Sequence, residues 1–231
     1  MTDRAAILAR LARLAAANAR ERHLAERLCE ASRLILDVDA AAITVRNDSS
    51  SRITLATTNE VAARLEDLQD ILGEGPCRDA FETGTAVRAT LDREADQRWP
   101  EFARAARATA GAVWIHCFAM RPGEQVFGTL SLYLEKTPRI AESDETAQFI
   151  ADAIGAALLR DPTAGEGIND AGAWSSRAGV HQATGMVIAQ LRVGPDDALA
   201  ILRAHAYAHD TTLAEIAEQV VDRRLDFSRG D

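Results

Sequence analysis

Apolar residues recur along this chain at two spacings, and each change of spacing marks a new element. Over residues 4–36 the spacing is helical: Leu8, Leu11 and Ala15, then Leu24, Leu28 and Ile35, with a break or bend near Asn18. Residues 41–46 alternate instead, with Ile43 and Val45 on one face. They read as a strand whose hairpin partner is 52–58, joined by the polar turn 47–51. Helical spacing returns over 61–72 and stops at Gly73. A short helix over 76–83 stops at Gly84, a short strand covers 86–89, and a helix over 99–109 is stopped by Gly111. Residues 112–120 and 125–135 form an antiparallel pair across 121–124, with Leu130, Leu132 and Leu134 alternating with Thr129, Ser131 and Tyr133. A helix over 142–160 carries Phe149, Ile150, Ile154 and Leu158 on one side.

The last fifty residues contain three short helices, 177–192, 195–208 and 211–225, broken at Val193-Gly194-Pro195 and His209-Asp210-Thr211. Pro195 suits a first helical turn, and Asp196 and Asp197 favour a helix N-terminus. Residues 161–172 hold a proline, three glycines and polar residues without periodicity, which predicts a flexible joint. The chain therefore divides into an N-terminal helical extension (1–21), an α+β domain with an antiparallel sheet flanked by helices (22–160), a linker (161–172) and a three-helix domain (173–231). The alanine-rich helix at the start has no obvious local core to cover. Such a helix either pairs with a second copy, giving a homodimer, or packs back on its own domain.

Composition narrows the classes. Of 231 residues, 47% are hydrophobic and only 5% aromatic, so the core is aliphatic and alanine-rich. No run of 18 apolar residues predicts a membrane span, and no signal-peptide pattern appears. Cys29, Cys77 and Cys117 are odd in number and widely spaced, as in a reduced cytoplasmic protein without a disulfide framework or zinc site. The net charge of −9 argues against nonspecific binding to nucleic acid or anionic membrane. Of the 26 basic residues, Lys136 alone is lysine.

No catalytic constellation is visible: there is no Gly-x-Ser-x-Gly, no His-Glu-x-x-His and no phosphate loop. An enzyme reading, as a cysteine-dependent methionine sulfoxide reductase, would need a cysteine pair at matching spacing, which is not evident. The acidic residues read as solvated helix faces. Gly73-Glu74-Gly75-Pro76-Cys77 reads as a tight turn between two helices, or as a lip over a cavity. Cys77, near a helix N-terminus, is either a thiol of lowered pKa or a small buried residue. Trp114, His116 and Phe118 share one strand face. If Tyr133 of the next strand aligns with them, the four line a ligand cavity; the alternative is a set of packed aromatics with one hydrogen-bonded histidine. In the second C-terminal helix, Ala198, Leu199, Ile201, Leu202 and Ala206 cluster on one side, and Arg203 and Tyr207 point away. They offer a charge and a stacking plane for unpaired RNA bases, or form an ordinary surface pair.

The text HQATGMVIAQLRVGPDDALAILRAHAYAHDTTLAEIAEQVVD resembles the ANTAR family of RNA-binding output domains, through Gln182-Ala183, Gly185-Met186, Ala198, Leu202-Arg203, Leu213 and Ile216-Ala217. LGEGPC at 72–77, DREADQRWPEFARAA at 92–106 and FGTLSLY at 127–133 resemble the GAF sensor domains fused to ANTAR domains in actinobacteria. The resemblance implies a signal-responsive transcription antitermination regulator that binds RNA hairpins, with a small-molecule ligand in the GAF domain and no catalysis. It adds Gln182, Thr184 and Arg192 to Arg203 and Tyr207 as RNA-binding candidates; the cofactor is left unassigned. The family commonly carries lysine where this chain has Thr184, and a basic residue near Thr212 or Ala214. Residues 173–231 hold six arginines against eight acidic residues, a formal balance of −2. Phosphate neutralisation dominates nucleic-acid affinity, so this predicts weak binding unless the arginines cluster or a dimer combines them. The alternative is a DNA-binding regulator of helix-turn-helix type, but Glu215 and Glu218 would then face phosphates. A dimerisation or signalling module is a third reading.

Overall fold

A computed structural model describes residues 3–17, 22–46, 52–91, 98–161, 175–209 and 211–228. The chain falls into two compact units, Met1–Ala164 and Gly165–Asp231. The first contains α1 (Arg4–Ala16), α2 (Leu24–Leu36), β1 (Ala40–Arg46), β2 (Arg52–Thr57), α3 (Glu60–Leu72), α4 (Pro76–Thr83), β3 (Val87–Thr90), α5 (Pro100–Ala110), β4 (Trp114–Met120), β5 (Gly128–Leu134) and α6 (Asp144–Arg160). The second contains α7 (Ser175–Leu191), α8 (Pro195–Ala208) and α9 (Leu213–Val221). The turn at 47–51 and nearly all of the linker lie outside the described residues.

The helix boundaries follow local chemistry. The Asn59 side chain accepts the Ala62 N–H and starts α3, and Gly73 ends it in a left-handed conformation. Ser143 caps α6 in the same way, so that helix begins two residues later than its apolar spacing suggests. Thr212 and Glu215 form a reciprocal capping box at the start of α9. α9 ends at Val221, earlier than expected, because Arg223 turns left-handed at φ 58° and the N–H groups of Arg224 and Leu225 return to Gln219 O.

The sheet has the order β2-β1-β5-β4-β3, and each of its pairings is antiparallel. β5 is its centre, flanked by β1 and β4. Gly128 opens β5 where a side chain has no room: an added Cβ would lie 2.3 Å from Thr44 O. One face of the sheet carries Ala40, Ala42, Ile115, Cys117 and Tyr133 and packs with residues of α3, α4 and α5 into one core. The other face meets α2 and α6.

The N-terminal helix departs from expectation. α1 packs against α2 and α6 of its own chain, burying Ile7, Leu11 and Ala15. Arg4 lies over the Phe149 ring, 5.1 Å from its centroid, and Arg27 donates to Ala15 O across 2.9 Å. The helix therefore has a local core to cover, and an uncovered stripe no longer argues for a homodimer.

Candidate functional site

Register decides the proposed cavity on the sheet. Residues directly opposite one another in an antiparallel pair point to the same face. Tyr133 pairs with Ile115 and Ser131 with Cys117, whereas Trp114, His116 and Phe118 pair with Leu134, Leu132 and Leu130. Tyr133 is thus on the opposite face from the other three, and the four-residue lining is not assembled. On the Trp114 face, Phe118 borders a groove of about 440 Å³ with Arg4, Ala86, Asp144, Gln148 and Phe149 among its other walls. His116 is buried at 5% exposure. Its pKa is lowered by burial first and Arg88 second, against the pull of Asp144.

Tyr133 belongs to a buried polar cluster built around Glu66, whose side chain is wholly enclosed. Glu66 Oε1 accepts the Tyr133 hydroxyl at 2.7 Å and the Cys77 thiol at 3.2 Å. Glu66 Oε2 accepts from Thr44 Oγ1 at 3.1 Å, and Arg52 Nη2 lies 3.6 Å away. Arg52 also pairs with Asp70 at 3.3 Å. Cys77 Sγ lies 2.6 Å from Ser131 Oγ and 3.0 Å from Cys117 Sγ, and Gln69 Oε1 accepts the Cys77 N–H at 2.7 Å. Burial, reinforced by the Glu66 carboxylate, pushes the Tyr133 hydroxyl well above its usual range. Burial and the Cys117 sulfur do the same to the Cys77 thiol, so no reactive thiolate of lowered pKa stands at this helix N-terminus.

The turn before Cys77 has a clear structural task. Gly75 adopts φ 139°, and a Cβ there would meet the Gln69 side chain at 2.5 Å. Glu74 accepts the Phe102 N–H at 2.8 Å near the start of α5, and Asp79 accepts the Trp99 indole N–H at 3.1 Å. Two segments that looked like separate motifs are one contact.

In the second unit, α7, α8 and α9 enclose a core of Ala183, Val187, Ala198, Leu202, Ala206, Ile216, Ala217 and Val220. Tyr207 is 44% exposed, on the side of α8 away from this core. Arg203 lies at the flank of the buried stripe, half-buried, with its Nε enclosed. The sequence put both opposite the stripe; 100° per residue leaves Arg203 about a quarter-turn from Leu202. Gln182 is exposed on α7, whereas the half-buried Thr184 spends its hydroxyl on Val180 O at 2.7 Å. Arg192 is exposed just beyond α7 in a left-handed conformation, φ 57°.

Comparison with known families assigns both units. The GAF domain family matches residues 18–159, more than half of the chain, and the ANTAR domain family matches 171–221. The chain belongs to the GAF family. Its second unit carries an ANTAR domain, so the molecule has the organisation of a GAF-ANTAR regulator. Similar solved structures include the GAF domain of an Acinetobacter phosphoenolpyruvate-protein phosphotransferase. It is 12% identical with a TM-score of 0.49, covering 72% of this chain and 99% of that one. The A. aeolicus nlh2 GAF domain in an inactive state is 13% identical with a TM-score of 0.48, covering 68% and 97%. Comparison with curated proteins gave no match.

GAF and ANTAR domains are sensing and regulatory modules and not catalytic ones, and ANTAR is an RNA-binding antitermination module. The GAF core holds the residue that sequence reasoning missed. Glu66 looked like one more solvated acid, yet it shares the buried stripe of α3 with Ala62, Leu65 and Gln69. An acid inside an i, i+3, i+4, i+7 stripe was the available signal. Among the described residues no helix is long and apolar enough to cross a membrane, and no cluster has the make-up of a metal site.

Proposed function

We propose that this GAF-ANTAR protein is a signal-responsive cytoplasmic regulator that binds RNA hairpins and prevents transcription termination. The observation that carries the reading is Tyr207, an aromatic ring left in solvent on α8 of the ANTAR domain while the neighbouring stripe is buried. An exposed ring suits stacking on unpaired bases. Gln182 and Arg192 are exposed partners in this reading, Arg203 supplies charge from the flank, and the half-buried Thr184, whose hydroxyl donates to Val180 O, is left to contribute as an acceptor. A small molecule bound by the GAF domain is the proposed input, and mass spectrometry of compounds released from native protein would identify it.

The proposed assembly is a homodimer. Its support is now the exposed Leu8, Leu34 and Leu159 on α1, α2 and α6, in place of an uncovered N-terminal stripe. Sedimentation of the full chain checks it, with a monomer at high concentration as the contrary result. A DNA-binding reading fares worse. Glu215 is tied into the capping box of α9, which puts a carboxylate at the N-terminus that a recognition helix would present to DNA. Filter binding against hairpin RNA and duplex DNA of equal charge tests the function. Selective retention of the hairpin is expected, and equal or absent retention of both rejects the RNA-specific reading.

A further inference from the structure

Cys77 and Cys117 lie forty positions apart in sequence, yet their sulfurs are 3.0 Å apart in the core. A disulfide bond needs about 2.05 Å, so a shift of roughly 1 Å would close one. The spacing does not suit a shared metal. Two thiolates at about 2.3 Å from a tetrahedral zinc sit roughly 3.8 Å apart. Cys77 opens α4 and Cys117 lies in β4, so a bond would tie a helix to the sheet. A proton acceptor is in place, since Glu66 Oε1 is 3.2 Å from Cys77 Sγ.

We propose that Cys77 and Cys117 form a reversible dithiol–disulfide pair that is oxidised by hydroperoxides. The Cys77 proton passes to Glu66 as the sulfur attacks one oxygen of hydrogen peroxide. The O–O bond breaks, and the departing hydroxide takes up that proton and leaves as water. Cys77 is then a sulfenic acid, oxidised by two electrons while the peroxide is reduced. The Cys117 sulfur attacks the Cys77 sulfur and the S–O bond breaks. The hydroxide released takes the Cys117 proton and leaves as a second water. Two thiols and one peroxide thus give one disulfide and two waters, and a thiol reductant reverses the change. Because burial holds the Cys77 thiol protonated, the reaction is slow in the closed fold and speeds up as pH rises. Cys29 is an internal control: it is equally buried, but its sulfur faces Ala56 O at 3.9 Å.

The test treats the full chain with excess hydrogen peroxide, quenches it, alkylates free thiols under denaturing conditions and maps peptides without reduction. The expected result is a Cys77–Cys117 linked peptide, an alkylated Cys29, and full recovery of both thiols with dithiothreitol. In Cys117→Ser the reaction should stop at a Cys77 sulfenic acid that dimedone labels. If that variant does not fold, the wild-type map decides alone. Alkylation of both cysteines after peroxide, linkage through Cys29, or irreversible oxidation of either sulfur overturns the proposal. The readout is the thiol state itself, so it stands or falls separately from RNA binding.

Discussion

Tyr207 keeps its ring in solvent while Leu202 and Ala206 on the same helix are wholly buried. Tyr207→Ala should therefore change folding stability by only about half a kcal/mol, yet weaken hairpin binding by roughly 1–3 kcal/mol. Paired melting and filter-binding curves check both halves, and normal RNA affinity would move the reader to Gln182. Arg192 permits a cleaner separation. At φ 57° it holds a conformation that glycine adopts without steric cost, so Arg192→Gly should keep or slightly raise the melting temperature. Its RNA affinity should fall, with a shallower salt dependence, if the side chain meets a phosphate. His116 makes a prediction about acid. Its folded pKa is lowered, so its contribution is complete above the unfolded value near 6.5 and is lost as pH falls through the folded value. Denaturant midpoints measured from about pH 7 to pH 5 should fall, and His116→Gln should flatten that slope.

At the scale of elements, the boundaries were legible wherever a residue type acts locally. Gly73, Gly84 and Gly111 stop α3, α4 and α5 as their lack of a Cβ predicts, and Pro195 starts α8. Tyr133 shows where that legibility ends. Alternation along β5 separates its two faces, but which face meets Trp114 depends on pairing across strands, and a one-residue slip reverses it. The proximity of Cys77 and Cys117 was hidden for the same reason, since it arises only when α4 lands on β4. The choice left open for α1 could not be made from sequence, because its partners, α2 and α6, come later in the chain and their faces toward it are fixed by the fold. Its packing predicts that Leu11→Ala costs about 2–4 kcal/mol through loss of a buried side chain. Chemical denaturation measures this, and a loss below about half a kcal/mol would show that the packing of α1 on its own domain adds little stability.

The whole molecule joins a negatively charged chain to a task that usually calls for positive charge. A net charge of −9, with a formal −2 over residues 173–231, leaves little long-range attraction for phosphates. Recognition would then rest on close contacts such as stacking, with a gentle dependence on ionic strength. The GAF unit shows a different economy. Glu66 projects from α3 and is held by groups from β1, β2, β5 and α4, so five separate elements meet at one carboxylate. A crossing point of that kind removes the option of peeling away piece by piece. The amides of α3 and α4 should exchange with deuterium as a single cooperative block, at one shared opening free energy. Glu66→Gln, which leaves the buried Arg52 without this anionic partner, should lower that shared energy by about 3 kcal/mol across both helices at once. Native-state exchange that instead showed α4 opening alone would mean the elements merely touch there without depending on one another.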